Sequence, residues 1–171
     1  MAAPRTWVVG EVVTAALMNQ EVRDQCSLLL NPPIASLTQS VTQSTSTGGW
    51  TTITFTNEEI DSYNGHSTSV NTSRYVCQLA GWYRVVGRVA FASNSTGSRG
   101  SRILKGGVVV NGSATMAGAG TLGAVAVTSR MIQLAVSDYV EVQGGQDSGG
   151  SLSTNSSGEA MSTMDIEWIH A

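Results

Sequence analysis

The stretch YVCQLAGWYRVVGRVAF, residues 75–91, carries the clearest strand pattern in the sequence. From Trp82 onward its side chains alternate with a period of two, which a helix of about 3.6 residues per turn would scatter over several faces. β-branched and aromatic residues also favour the pleated, half-buried surface of a sheet. One set is predicted to point into a core: Tyr83, Val85, Val89 and Phe91. The other set is predicted to point outward: Trp82, Arg84, Val86, Arg88 and Ala90.

The rest of residues 50–171 is predicted to be β-structure that packs on this strand. Short apolar runs are separated by turn residues, with no helical pattern among them. The predicted strands are residues 50–56, 74–79, 82–92, 102–110, 124–136, 139–142 and 161–169. The predicted loops are residues 58–71, 94–100 and 143–158, and Asn111-Gly112 is a hairpin signal. This order predicts a mainly β sandwich or jelly roll.

Residues 14–30 are predicted to form a helix. Thr14 is a suitable N-cap, and Asn31-Pro32-Pro33 ends the helix because proline cannot continue its hydrogen bonds. One apolar stripe follows the spacing i, i+4, i+8, i+11: Met18, Val22, Cys26 and Leu29. A lone helix of this length is marginal in water. The stripe must therefore pack on the body of the domain, on sister chains or on another protein.

The regions on either side of this helix divide the chain into three parts. Residues 1–13 are predicted to be an extended arm with apolar side chains that include Trp7, Val9 and Val12, or else a disordered tail. Residues 34–49 are polar and low in complexity, which predicts a linker, although weak apolar spacing leaves a helical continuation open. We therefore divide the chain into an anchor at 1–33, a linker at 34–49 and a head at 50–171.

Composition excludes several classes of protein. The chain has 171 residues, a net charge of −3 and one lysine, so we predict no basic patch that would bind nucleic acid. It has no run of 18 apolar residues that would insert in a membrane. The N-terminus predicts no signal peptide, because Glu11 interrupts its apolar stretch. Cys26 and Cys77 lack metal-ligand spacing and are predicted to be free, buried thiols, with a disulfide as the alternative.

Sequence motifs for chemistry are weak, and we predict neither an enzyme nor a cofactor. Residues 118–123 match GxGxxG, but a strand pattern follows them where a nucleotide site needs a helix. His66 and His170 are the only histidines, and neither accompanies a nucleophile signature such as GxSxG, so both are predicted to be solvated surface side chains. Three neighbouring acids could help to hold Ca²⁺, or could form a solvated acidic loop: Glu58, Glu59 and Asp61.

The order of features after residue 50 resembles the C1q/tumour-necrosis-factor-like (C1q/TNF-like) jelly roll. The family's aromatic strand corresponds to residues 79–91, and its strand into an Asn-Gly turn corresponds to residues 108–112. Its "l..gD.V.v" segment corresponds to residues 134–142, with Ser137 where the family usually has Gly, and its last strand corresponds to residues 164–169. The resemblance implies a homotrimer with a binding function.

The N-terminus resembles the opening of virion proteins from phages of Gram-positive, especially actinobacterial, hosts. Residues 7–24, WVVGEVVTAALMNQEVRD, carry that resemblance. Together the two resemblances imply a structural phage virion protein of the minor tail or tail-fibre type, made in the host cytoplasm and assembled into the virion. A capsid decoration or head-fibre protein of the same fold is the alternative.

These expectations assign residues to three surfaces. Attachment to other virion proteins is assigned to Trp7, Val9, Val12, Met18, Val22, Cys26 and Leu29. The trimer interface is assigned to Trp82, Arg84 and Arg88, for which plain solubility is the alternative. Binding of a host envelope glycan or protein is assigned to loop residues Asn94, Ser98, Arg99, Gln146, Asp147 and Asn155.

Overall fold

The computed structural model describes residues 5–171, so the first four residues of the predicted arm lie outside it. The helix predicted for residues 14–30 is present as α1 (Ala15–Met18), a π-helical stretch (Asn19–Arg23) and α2 (Asp24–Leu30). Thr14 caps it as predicted, since its Oγ1 accepts a hydrogen bond from the Leu17 amide at 3.2 Å.

Strands make up most of the remaining described chain. In sequence order they are β1 (Ile34–Thr38), β2 (Ser44–Thr45), β3 (Gly49–Thr52), β4 (Asn57–Asp61), β5 (Arg74–Val76), β6 (Gly81–Phe91), β7 (Asn94–Lys105), β8 (Val108–Val109), β9 (Thr115–Gly120), β10 (Ala124–Leu134), β11 (Tyr139–Gln146), β12 (Leu152–Ser153) and β13 (Thr163–His170). A short 3₁₀ turn, Gly158–Ala160, precedes β13.

The strands form two sheets that face each other. Sheet 1 has the order β10-β6-β13-β1-β4, and its neighbours are antiparallel. Sheet 2 has the order β5-β11-β7-β8, with β9 also paired to β7. A small third pairing joins β2 to β12. The chain is therefore the mainly β sandwich that its turn pattern predicts.

Strand β6 is an inner strand of sheet 1, between β10 and β13, and the set predicted to point into the core is confirmed, although Ala90, predicted to point outward, is also fully buried. Tyr83, Val85, Val89 and Phe91 are fully buried. In β13, Met164 and Ile166 are buried and Trp168 packs on the same core. The two-residue period thus places apolar side chains of both strands between the sheets, where they exclude water.

The predicted linker at residues 34–49 is wrong. Residues 34–38 form β1, which lies inside sheet 1 between β13 and β4. Ala35 and Leu37 are buried in the core. Gln39 and Thr45, which follow β1, are buried too: the Gln39 amide donates to the Ser162 carbonyl at 3.0 Å and Thr45 Oγ1 donates to the Leu152 carbonyl at 2.6 Å, whereas Gln39 Oε1 has no hydrogen-bond partner within residues 5–171. Polar residues fit this segment because distant parts of the chain supply most of their hydrogen-bond partners. The head therefore begins at the prolines before Ile34.

Four predicted loops and turns also differ from the structure. The chain turns from β7 to β8 at Gly106-Gly107, where both residues have positive φ as the favoured two-residue hairpin turns require. Asn111-Gly112 forms the following turn, into β9. Residues 94–100 belong to β7, and the predicted loop at 58–71 begins with the edge strand β4. The predicted loop at 143–158 contains the end of β11 and all of β12.

Both cysteines are free, but only one of the predicted burials is correct. Cys77 is buried and its Sγ lies 3.1 Å from the Leu79 carbonyl oxygen. Burial raises the pKa of the Cys77 thiol, which keeps it protonated and unreactive. Cys26, in contrast, is exposed on the helix.

Ser137, in the turn before β11, adopts the backbone conformation for which the family usually has glycine. Its φ is 73°, in the left-handed region that glycine adopts most easily. Its amide donates to the Cys77 carbonyl at 2.9 Å, which joins this turn to the end of β5. Asp138 accepts hydrogen bonds from Lys105 and from the Ala135 amide, each at 2.8 Å. These two donors hold the pKa of the Asp138 carboxyl below its usual value.

Candidate interaction surface

The side of sheet 1 that faces away from the core is an ordered surface of mixed apolar and charged side chains. We call it the outer face. The strand registers align its residues in three rows: Met131–Arg84–Glu167–Ile34, Ser129–Val86–Asp165–Ser36 and Val127–Arg88–Thr163–Thr38. Ile60 of β4 extends the middle row. Of the side chains assigned to the trimer interface, Arg84 and Arg88 thus lie in the first and third rows, and Trp82 lies beyond the first row, between Gln133 and His170.

Large apolar side chains on the outer face are exposed in the single chain. Val127 is 48% exposed, and Met131 and Ile60 are each 45% exposed. Exposed apolar groups that share one face with arginines are typical of surfaces that bind another protein.

The charged side chains of the outer face are loosely paired. Arg84 Nη1 lies 3.4 Å from Glu167 Oε2, and both side chains are about half exposed. Arg88 Nη2 donates to the Glu159 carbonyl oxygen at 2.7 Å. Exposed pairs of this kind contribute little to monomer stability. Both guanidinium groups are therefore available for new partners if the face is covered.

Sequence reasoning missed Val127, Met131 and Ile60 as surface residues of this face. The missing step was the register of β10, where the even-numbered Ala126, Thr128, Ile132 and Leu134 are the buried set. That set assigns Val127 and Met131 to the opposite side. Ile60 gave no comparable signal, because its strand lies in a stretch that is polar in sequence.

The predicted binding loops meet at the end of the sandwich where β6 finishes. Asp147 is exposed, and its carboxylate accepts a hydrogen bond from the Ser98 amide. Asn94 and Asn155 are partly exposed, and Asn155 Nδ2 donates to the Phe91 carbonyl at 3.2 Å. These four residues therefore lie on neighbouring segments at one end.

Two of the predicted loop residues cannot contact a ligand directly, because they are buried. Gln146 is buried, and its Nε2 donates to the carbonyl oxygens of Thr45 and Gly150 at 3.0 and 2.8 Å. Arg99 is fully buried. Its guanidinium donates to the carbonyl oxygens of Asn94, Thr96 and Ser98 at 2.9–3.1 Å. Both side chains hold the loops from beneath.

Replacing Arg99 with Met is expected to lower the free energy of unfolding by about 2 kcal/mol. The change removes three charge-assisted hydrogen bonds to partly buried carbonyls, and the relief of a desolvated charge offsets part of that loss. Chemical denaturation of Arg99→Met measures this. Arg130→Met, at an exposed site, is the matched control and should change stability by less than about 0.5 kcal/mol. Equal effects would contradict the structural role of Arg99.

The acidic residues considered for Ca²⁺ lie on and beside an edge strand. Glu58 and Glu59 are exposed on β4. Asp61 is occupied by the backbone, since its Oδ2 accepts from the His66 amide at 2.7 Å. Across residues 5–171 no three His, Cys, Asp or Glu side chains cluster in a way that could hold a metal ion.

His66 is not the solvated side chain that its polar surroundings in sequence predict. Its Nδ1 lies 2.7 Å from the Arg74 carbonyl oxygen, and its Nε2 lies 3.1 Å from the Phe55 carbonyl oxygen. The imidazole therefore connects the loop after β4 to two other segments.

The GxGxxG stretch lies in β9 and the turn after it, and strand β10 follows where a nucleotide site needs a helix.

Solved structures with the same architecture share the two-sheet arrangement. Murine APRIL superposes with a TM-score of 0.60 at 10% sequence identity, over 79% of this chain and 98% of that chain. The globular domain of zebrafish complement 1qA superposes with a TM-score of 0.55 at 12% identity, over 81% and 98% of the two chains. The fold is a C1q/TNF-like jelly roll. No protein-family model matches the sequence, and no curated protein does.

The start of β1, where the N-terminal segment joins the sandwich, lies at the opposite end from the predicted binding loops. Ile34, the first residue of β1, pairs with Glu167, which pairs with Arg84 near the start of β6. The loops lie beyond Phe91, where the 11 residues of β6 end. At about 3.3 Å per residue the two ends of β6 are roughly 30 Å apart.

The side chains assigned to attachment are all exposed. They are Trp7, Val9, Val12, Met18, Val22, Cys26 and Leu29. None of the residues in α1, the π-helical stretch or α2 is buried. The apolar side chains of this segment are therefore free for a partner outside the single chain.

No helix within residues 5–171 has the length and apolar character needed to cross a membrane.

Proposed function

We propose that this protein is a homotrimeric structural component of a phage virion, of the tail or tail-fibre type. Residues 1–33 join it to other virion proteins, and the C1q/TNF-like head presents loops to the host cell surface. One observation carries the proposal: the exposed apolar segment joins the sandwich at the end opposite the loops. An attachment protein needs this arrangement, with one end fixed to the virion and the other end free to bind the host cell.

The outer face of sheet 1 supports the trimer. Three copies in a closed ring would bury Val127 and Met131, which are exposed in one chain. They would also cover open sheet edges, which invite uncontrolled pairing when left free. Arg84 and Arg88 would then meet partners from a neighbouring copy, in an environment where arginine pairs are stronger than in water.

The loop end supports a binding role for the head. Asp147 offers an exposed carboxylate, and Asn94, Ser98 and Asn155 offer amide or hydroxyl groups beside it. Such groups recognise the hydroxyls of a glycan or the polar groups of a protein. Three weak sites on one trimer multiply avidity for a repetitive cell envelope. The head therefore needs no single high-affinity pocket.

Val127→Asp is expected to weaken the trimer by roughly 100-fold or more in its dissociation constant. A buried, unpaired carboxylate costs several kcal/mol, and each trimer would contain three. The matched control is Val109→Asp, on a strand of sheet 2 where the side chain is also exposed. Analytical ultracentrifugation over a dilution series measures both. A Val127→Asp protein that stays trimeric at low micromolar concentration would place the interface elsewhere.

The virion role is tested by imaging gold-labelled antibody against this protein on intact particles of the phage that encodes it. Label at the tail is expected. Label on the capsid would favour the decoration or head-fibre alternative, and the absence of label from purified particles would refute a virion role altogether. Binding of the purified head to host cells, compared with an Asp147→Ala head, tests the loop end separately.

A further inference from the structure

The N-terminal helix is an element whose apolar side is left uncovered in the single chain. Its stripe, defined as Met18, Val22, Cys26 and Leu29, is exposed along the whole helix. At about 1.5 Å per residue the 16 residues of the helix span roughly 24 Å. An isolated helix of that length is barely stable in water, so it requires a partner that covers the stripe.

The π-helical stretch keeps this stripe in line. Within it, the Asp24 amide donates to the Asn19 carbonyl oxygen, five residues earlier. In a continuous α-helix, positions four apart shift steadily around the helix axis. A π turn holds more residues than an α turn, so it offsets this shift and keeps the stripe on one side of the helix. Met18, Val22 and Cys26 therefore form one narrow seam.

The width of the seam indicates what covers it. A helix that lies in a groove of another protein usually presents a broader set of anchors, at i, i+3, i+4 and i+7. From Leu17 to Leu29 the exposed apolar side chains are those of the stripe alone, about one per turn, because Leu17 and Leu28 are half-buried. Leu30, also exposed, follows at the end of the stripe, and Glu21, Arg23 and Asp24 lie close beside it. A narrow seam between charged flanks is typical of helices that pack on each other by knobs-into-holes contacts.

The connection to the head brings sister helices to this seam. Only Asn31, Pro32 and Pro33 separate α2 from β1, and the two prolines restrict the turn. Ile34, which follows, lies in a row of the outer face of sheet 1. In the proposed trimer three helices therefore leave the same end of the assembly, at a high effective concentration.

We propose that residues 15–30 of three copies form a short parallel helical bundle closed around this stripe, at the end of the trimer opposite the binding loops. This inference rests on the proposed trimer. It leaves the arm before the helix, with the exposed Trp7, Val9 and Val12, as the part that binds other virion proteins. The copies of this chain are thus the partner of the helix, and the virion is the partner of the arm.

The exposed Cys26 reports on this bundle without any added label. In a parallel bundle the three Cys26 side chains lie at one level, within the distance that a disulfide spans. Mild oxidation of the full-length protein with diamide takes two electrons and two protons from two thiols and joins two chains. Because one bond uses two of three chains, about two thirds of the protein should run as dimer on a non-reducing gel. Cys77 is buried, so Cys26→Ser should abolish the dimer.

Two further measurements separate the bundle from the trimer. Val22→Asp, on the stripe, should reduce the dimer yield several-fold and lower the helical circular-dichroism signal, whereas Gln20→Asp, off the stripe, should leave both unchanged. Light scattering on the same samples reports the trimer. A trimer whose Cys26 does not cross-link, or whose cross-linking is equal in the two variants, would overturn the bundle and leave the trimer intact. A monomer would refute the proposed trimer and the bundle with it.

Discussion

A chain that begins at Gly48 is expected to be unfolded, whereas a chain that begins at Pro32 is expected to fold. The first truncation removes β1, which pairs with β13 on one side and β4 on the other. It also removes the fully buried Leu37, and a Leu-to-Ala change alone at such a site costs about 2–5 kcal/mol. Losing two ladders of hydrogen bonds as well exceeds the roughly 5–15 kcal/mol that stabilise a typical domain.

Circular dichroism and thermal unfolding of the two truncated chains test this boundary. The chain from Pro32 should melt cooperatively with a β-sheet spectrum. The chain from Gly48 should show no cooperative transition. If it melted like the longer chain, β1 would be dispensable and residues 34–49 would be a linker after all.

Phe91→Ala is expected to lower the free energy of unfolding by about 3–5 kcal/mol. Phe91 is fully buried between the sheets, and its ring lies close to Gly144 of β11. Gly144 has no side chain, so it cannot expand into the space that the ring leaves. The matched control is Arg84→Ala on the opposite side of β6, where a half-exposed side chain should contribute less than about 0.5 kcal/mol.

Chemical denaturation of both variants should be carried out in the Val127→Asp background, so that trimer dissociation does not enter the measurement. A larger loss for Arg84→Ala than for Phe91→Ala would mean that the register of β6 is displaced by one residue. Every assignment of a side chain to the core or the outer face would then be inverted.

The strands that the sequence predicts well are those whose signal is local. In β6 and β13, apolar and polar side chains alternate over many residues, and this pattern reports directly which side is buried. The helix is predicted equally well, because its cap and its prolines are local signals too.

The elements that the sequence predicts poorly depend on contacts made elsewhere in the chain. The strand β1 looks like a linker because its polar side chains are satisfied only by distant partners; Ser36 Oγ, for example, donates to Asp165 Oδ1 at 2.7 Å. Arg99 looks like an exposed loop residue, yet it is buried because backbone carbonyls of its own strand turn toward it. Neither the distant partners of β1 nor the burial of Arg99 can be predicted from the amino-acid composition.

The candidate surface was predictable in part. The outward set on β6 follows from alternation alone, but its neighbours on β10 and β4 depend on which strands pair and in what register. The entry of the N-terminal segment at the end opposite the loops likewise depends on topology, which a short sequence pattern does not specify.

The central claim is that copies of this chain associate through the outer face of sheet 1. The most direct test is the mass in solution of a chain beginning at Pro32, measured by light scattering at micromolar concentration, since this chain keeps the sandwich and lacks the helix. We predict the mass of three chains, and the mass of one chain in the Val127→Asp variant. A wild-type head that is monomeric under these conditions would contradict the account.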